Sequence, residues 1–76
     1  MVEKTVLLSN FTTLKKFVET VLPLEFDVRA VSGGKQVNAK VITELFTFDL
    51  TKPVTVIADT TSIAAFTKLI KPFSID

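Results

Sequence analysis

The chain of 76 residues carries few side chains that perform covalent chemistry. Histidine, cysteine and tyrosine are all absent, so the sequence offers no imidazole base, no thiolate and no phenol. Its Asp and Glu residues are scattered, with neither a D-x-D nor an E-x-x-E arrangement. Acid–base pairs and metal sites need carboxylates that converge. We therefore expect no enzymatic activity, no metal and no cofactor.

Two short motifs resemble ligand sites but have simpler interpretations. Ser32-Gly33-Gly34-Lys35 contains glycine and lysine, yet a phosphate loop needs its lysine at the start of a helix, and here a strand follows. Ser9 and Asn10 precede a helical pattern, where short polar side chains act as N-caps. Asp59 is interpreted in the same way.

Composition limits the classes of partner. The net charge of +1 and the absence of tryptophan and tyrosine argue against nucleic acid or an anionic membrane surface as a ligand. No charge-free apolar run reaches the roughly 18 residues of a membrane span, and no secretory pattern opens the sequence. We expect one cytoplasmic domain over residues 1–76. The mean hydropathy of +0.46 is high for a small domain and suggests an apolar contact surface.

Periodicity predicts the order βαββαβα. Alternating apolar residues predict strands over 2–8, 25–31, 35–40 and 54–58. Helical spacing predicts helices over 11–22, 41–47 and 61–71. The glycine pair at 33–34 predicts a tight hairpin between the second and third strands.

The two long helices must bury their apolar stripes against one face of the sheet. The predicted stripes are Phe11, Leu14, Phe17, Val18, Val21 and Leu22 in the first helix and Ile63, Phe66, Leu69 and Ile70 in the last. Residues expected on the opposite, solvent-facing side of the sheet are Thr5, Asp27, Arg29, Thr55 and Ile57.

The middle of the chain resembles the histidine-containing phosphocarrier (HPr) family of the bacterial sugar phosphotransferase system. Gly34-Lys35, Asn38-Ala39-Lys40, Ile42 and Leu45 fall as in the second signature of that family. The resemblance implies an α+β open-faced sandwich whose four-stranded antiparallel sheet has the order 1-4-2-3. A βαββαβ order alone would also fit a ferredoxin-like or ACT-like domain, but the closing helix favours HPr.

The first family signature, Gly-Leu-His-x-Arg-Pro, is not retained. The corresponding stretch is Ser9-Asn10-Phe11-Thr12-Thr13, with Asn10 near the histidine position and Thr12 near the arginine position. An amide nitrogen has a delocalised lone pair and cannot accept a phosphoryl group as imidazole does. We therefore expect no phosphohistidine. Val41 stands where Gram-positive relatives carry a regulatory serine, so that switch is also missing.

The resemblance further implies a protein-docking surface where the first helix begins beside the middle helix. Carried over, it comprises Asn10, Thr12, Val41, Ile42 and Phe46, of which Ile42 matches a family contact position directly. The alternative is that these residues complete a small core. The hypothesis is a non-catalytic regulatory or adaptor module related to the phosphotransferase system. Its partner would be a component of that system or a transcription regulator. A self-associating, homodimeric module is the alternative function.

Overall fold

Four strands form one antiparallel sheet in the computed structural model, which describes residues 1–75. They are β1 (Val2–Val6), β2 (Val28–Ser32), β3 (Lys35–Asn38) and β4 (Val54–Ala58). The sheet order is β1-β4-β2-β3, with every neighbouring pair antiparallel. The predicted order 1-4-2-3 is confirmed.

The hairpin between β2 and β3 closes with two glycines. Gly33 and Gly34 have φ angles of 58° and 79°, and Ser32 pairs directly with Lys35. Positive φ at both central residues matches the right-handed twist of the flanking strands, and glycine adopts it at least cost. This turn fixes the register of the hairpin, as predicted.

β2 begins at Val28, three residues later than the alternation predicts. Val28 pairs with Ala58, the last residue of β4, and upstream of this pair a single backbone bond follows, from the Asp59 amide to the Asp27 carbonyl at 2.9 Å. Phe26 nevertheless packs against the core, and its ring meets Phe66 edge-on at 6.2 Å between centroids. The period of two therefore identifies the inward residue even where no strand is formed.

Three helices connect and cover the strands. They are α1 (Phe11–Val21), the short α2 (Ile42–Leu45) and α3 (Ile63–Ile70). α3 begins two residues later than predicted, because the Thr60 hydroxyl accepts from the Ser62 amide at 3.1 Å and holds the preceding segment in a turn. Ser62 itself, the N-cap residue, makes no side-chain capping bond.

The core lies between the helices and one face of the sheet. Among residues 1–75, no buried side chain is polar or charged. The largest fully buried side chains are Phe17, Phe66, Leu8, Leu14, Leu45, Ile70, Val6, Val21, Val28, Val54 and Val56. On the other sheet face, Thr5, Arg29, Thr55 and Ile57 are half-buried and Asp27 is exposed, because cross-strand neighbours partly cover one another.

Four residues of the predicted stripes are exposed, which corrects the helical-stripe prediction. Phe11 and Ile63 are each 58% exposed, and Leu22 and Leu69 also reach the surface. Phe11 and Ile63 are the first residues of their helices, where side chains lean toward the amino end and pass beyond the packed region. Leu22 is the C-cap of α1, and Leu69 is rotated by about 100° from buried Ile70.

A C-terminal segment that the periodicity does not predict completes the core. Phe73 is buried and meets Phe17 edge-on, with ring centroids 5.4 Å apart at 89°. The Leu7 amide donates to the Phe73 carbonyl at 3.0 Å, and the Ile75 amide donates to the Thr5 carbonyl at 3.0 Å. These bonds cover the outer edge of β1, which would otherwise expose unpaired backbone groups.

Candidate protein-binding surface

Asn10 serves as the N-cap of α1. Its backbone is extended, with φ −142° and ψ 167°, and its Oδ1 accepts from the Thr13 amide at 2.9 Å. The side-chain oxygen thereby satisfies one of the amides that the first helical turn leaves without a carbonyl partner. Thr12 lies exposed in that same turn. Neither residue offers a nucleophilic nitrogen.

The junction from β3 into α2 is held by short local bonds. Asn38 Oδ1 accepts from the Lys40 amide at 2.9 Å, while buried Ala39 donates through its own amide to the Val28 carbonyl at 2.9 Å. The Lys40 ammonium donates to the Leu24 carbonyl and ties this junction to the loop after α1. The Asn-Ala-Lys run is therefore explained by the backbone turn that it builds.

α2 places one residue in the core and two at its boundary. Leu45 is fully buried, whereas Val41 and Ile42 are half-buried, and Ile42 packs against the core. Val41 is the N-cap and has no hydroxyl, so it makes no side-chain capping bond. Its carbonyl accepts from the Glu44 amide at 3.1 Å instead. Ile42 combines core packing with a partly exposed face.

An exposed aromatic pair joins α1 to α2. The rings of Phe11 and Phe46 stack with centroids 5.8 Å apart and planes 17° from parallel. Phe46 is 49% exposed and Phe11 slightly more. Stacked aromatic rings of this kind stabilise each other by about 0.5–1.5 kcal/mol, yet much of their apolar area remains in contact with water. Phe11 was not predicted as a site residue, although its position as the first residue of a helix was the available signal.

The predicted site residues therefore lie on two elements that the Phe11–Phe46 contact brings together. We call this region the α1–α2 surface and define it by Asn10, Phe11, Thr12, Val41, Ile42 and Phe46. None of these side chains is titratable, so the surface suits apolar and hydrogen-bonding contact rather than proton transfer. Docking of a partner on this surface remains a prediction.

The carboxyl group of Asp49 has a lowered pKa, and its cause is local. Hydrogen bonds from Thr51 to Asp49 Oδ1, at 2.6 Å from the hydroxyl and 3.1 Å from the amide, lower the pKa of Asp49 below 3.8, assisted by the charge of Lys52. Such bonds favour the charged form of a carboxyl group. They close the loop between α2 and β4, away from any cluster of catalytic groups.

A small polar cavity gathers charged residues that are distant in the sequence. Asp27, Arg29 and Glu44 contribute to its lining, and its volume is about 290 Å³. Both carboxylates are solvent-exposed. Within residues 1–75, no three residues of the metal-ligating types cluster closely enough to bind an ion. No helix in that range has the length and apolarity needed to cross a bilayer.

Comparison with known proteins finds similarity in structure rather than in sequence. No protein-family model matches the chain, and no curated protein sequence matches it. The chain is similar to the crystal structure of HPr-C-His from Thermoanaerobacter tengcongensis, with a TM-score of 0.77 and 20% sequence identity. The match covers 95% of this chain and 89% of that one. With the sheet order and the three helices described above, this likeness establishes that the chain has an HPr-like fold.

Proposed function

We propose that this chain is a non-catalytic HPr-like protein, a regulator or adaptor related to the sugar phosphotransferase system. It binds a component of that system, or a transcription regulator, through the α1–α2 surface and does not carry phosphohistidine. The observation that supports this proposal most is the exposed Phe11–Phe46 pair. The pair also lies in the region where the family resemblance implies docking, which further supports the proposal.

The absence of carrier chemistry follows from side-chain types. A phosphoryl carrier needs a nitrogen with an available lone pair, and the chain contains no histidine. Asn10, near the family's histidine position, holds its side-chain oxygen on the Thr13 amide as a helix cap. Thr12, near the arginine position, has no charge with which to clamp a phosphate.

Binding through the aromatic pair is energetically reasonable. Large aromatic side chains bury about 150–250 Å² each, and phenylalanine is among the residues enriched at protein interfaces. Phe11 and Phe46 are already held against each other, so a partner that covers them would immobilise few additional rotatable bonds. Phe11 was predicted to lie in the buried stripe of α1, but the structure leaves it largely exposed, and this exposure of an apolar ring is otherwise unfavourable.

Loss of carrier function is tested by phosphotransfer. The protein is mixed with enzyme I and labelled phosphoenolpyruvate, with an authentic HPr as the positive control, and acid-labile phosphate on the protein is measured. We expect none on this chain while HPr is labelled. Stoichiometric labelling would refute the non-catalytic part of the proposal.

Partner binding is tested separately with enzyme I from the same organism as the probe. Chemical shifts of ¹⁵N-labelled protein should change at α1's first turn and α2, and Phe46→Ala should weaken binding by about tenfold or more, as for an interface hot spot. Ile63→Ala is the matched control, because Ile63 has the same exposed fraction as Phe11 but lies on α3. Phe46 is substituted rather than Ile42, because Ile42 also packs against the core. Shift changes confined to other surfaces would contradict the proposed site.

A homodimeric module is the second candidate, and the same aromatic pair is the observation that favours it. Two copies could cover their Phe11 and Phe46 rings against each other without any heterologous partner. Sedimentation velocity at two protein concentrations distinguishes the two functions. A stable dimer that is dissociated by Phe46→Ala would favour self-association, and a monomer at both concentrations would exclude it.

A further inference from the structure

A groove with three lysines runs between α3 and β1, distinct from the α1–α2 surface. Its volume is about 710 Å³, within the range of small-molecule sites. The residues that line it are Lys4, Ala64, Thr67, Lys68, Lys71 and Ser74. Nothing in the proposed function accounts for this groove.

The fold brings these residues together from the two ends of the chain. On α3, positions 64, 67, 68 and 71 follow the i, i+3, i+4, i+7 spacing that places side chains on one helical face. Lys4 lies between buried Val2 and Val6 on β1 and shares their side of the sheet. Lys4 is half-buried there, so its apolar stem forms part of the groove wall while its ammonium stays accessible.

The positive charges of the three lysines are not balanced by negative side chains within the groove. None of the described residues that line it carries a carboxylate. Lys68 and Lys71 are three positions apart on a helix, where like charges repel. The dipole of α3 favours both of them at its carboxyl end, but it does not explain Lys4, which lies on a strand.

A hydroxyl group beside the lysines also lacks a partner. Thr67 Oγ1 is buried and makes no hydrogen bond within residues 1–75. A threonine in a helix commonly bonds back to a carbonyl of the preceding turn, and this one does not. Because the oxygen is buried, a ligand in the groove does not reach it, and the hydroxyl is not counted among the groove's contacts.

We propose that this groove binds a small phosphate monoester. The dianionic phosphate would pair with the ammonium groups of Lys4, Lys68 and Lys71. Ala64 and the lysine stems provide apolar surface for the organic part of the ligand. This inference is independent of the proposed function, because it involves a different face and no shared residue.

The test is a titration of ¹⁵N-labelled protein with phenyl phosphate at low ionic strength, followed by amide chemical shifts. Saturable shifts are expected at residues 64–71 and at Lys4, and phenyl phosphate should bind more tightly than inorganic phosphate. Lys4→Gln and Lys68→Gln should each weaken binding by about fivefold, the upper end for an exposed ion pair. Lys16→Gln, an exposed lysine of α1, is the matched control and should leave the affinity unchanged.

Thr67→Val is a second control, because it changes a buried atom of the groove wall and no charge. Replacing the unpaired hydroxyl with a methyl group of similar size should maintain or raise the thermal unfolding temperature. Binding of phenyl phosphate should be unchanged, because the buried hydroxyl does not reach the ligand. The proposal is overturned if shifts do not saturate by about 10 mM ligand, ten times a millimolar Kd. It is equally overturned if Lys16→Gln weakens binding as much as Lys4→Gln.

Discussion

Replacing Phe17 with alanine should destabilise the fold severely. Phe17 has no exposed surface and meets Phe73 edge-on at 5.4 Å. Burial of a side chain of this size contributes about 1.5–3 kcal/mol, and the aromatic pair about 0.5–1.5 kcal/mol more. With the cavity that truncation leaves, the free energy of unfolding should fall by about 3–5 kcal/mol.

That loss is large compared with the total. A domain of this length is stabilised by roughly 4–11 kcal/mol at about 0.05–0.15 kcal/mol per residue. Urea unfolding followed by far-ultraviolet circular dichroism measures the change, because the helices and the sheet should unfold together. If Phe17→Ala does not fold, Phe17→Leu retains most of the volume and gives a measurable, smaller loss of about 1.5 kcal/mol or less.

Phe11→Ala is the matched control, since it removes the same ring from the same helix. Phe11 is 58% exposed and contacts Phe46 rather than the core, so its loss should cost only about 1 kcal/mol. Sequence periodicity places both phenylalanines on one stripe, whereas the structure gives them different environments. Equal destabilisation by the two substitutions, or a Phe17→Ala protein as stable as the original, would show that the reasoning about the core is wrong.

Three further substitutions test local features. Asn10→Ala removes the cap on the Thr13 amide and should lower the free energy of unfolding by about 1 kcal/mol in the same urea assay; an unchanged midpoint would contradict the capping role. Gly34→Ala forces a side chain into φ 79° and should cost about 1–2 kcal/mol; an increase in stability would contradict the hairpin geometry. Thr51→Val removes the hydroxyl bond to Asp49 and should raise the pKa of Asp49 toward 3.8 in an NMR pH titration. Because folding lowers this pKa, the stabilisation is present above the unfolded pKa and is lost as the pH falls through the folded value; a pKa that does not move on substitution would contradict the assignment.

Several features of this protein are local properties of the sequence. The absence of histidine excludes phosphohistidine whatever the fold, because that chemistry depends on a side chain that is not there. Positive φ at Gly33 and Gly34 follows from the tight turn between two alternating segments. The order of strands and helices likewise follows from periodicity, which depends on neighbours a few positions away.

Other features depended on which surfaces meet. Periodicity could not distinguish Phe11 from Phe17, because both lie on the same helical stripe. Phe11 is exposed because it lies beyond the region where α1 packs, whereas Phe17 lies within that region and is buried. It also missed Phe73, whose segment is held by pairing with β1 at the far end of the chain. The lysine groove joins Lys4 to the last helix in the same way. The chemistry of a side chain depends on its residue type alone. Its burial and its neighbours depend on contacts between segments that are distant in the sequence, and only the tertiary structure determines those contacts.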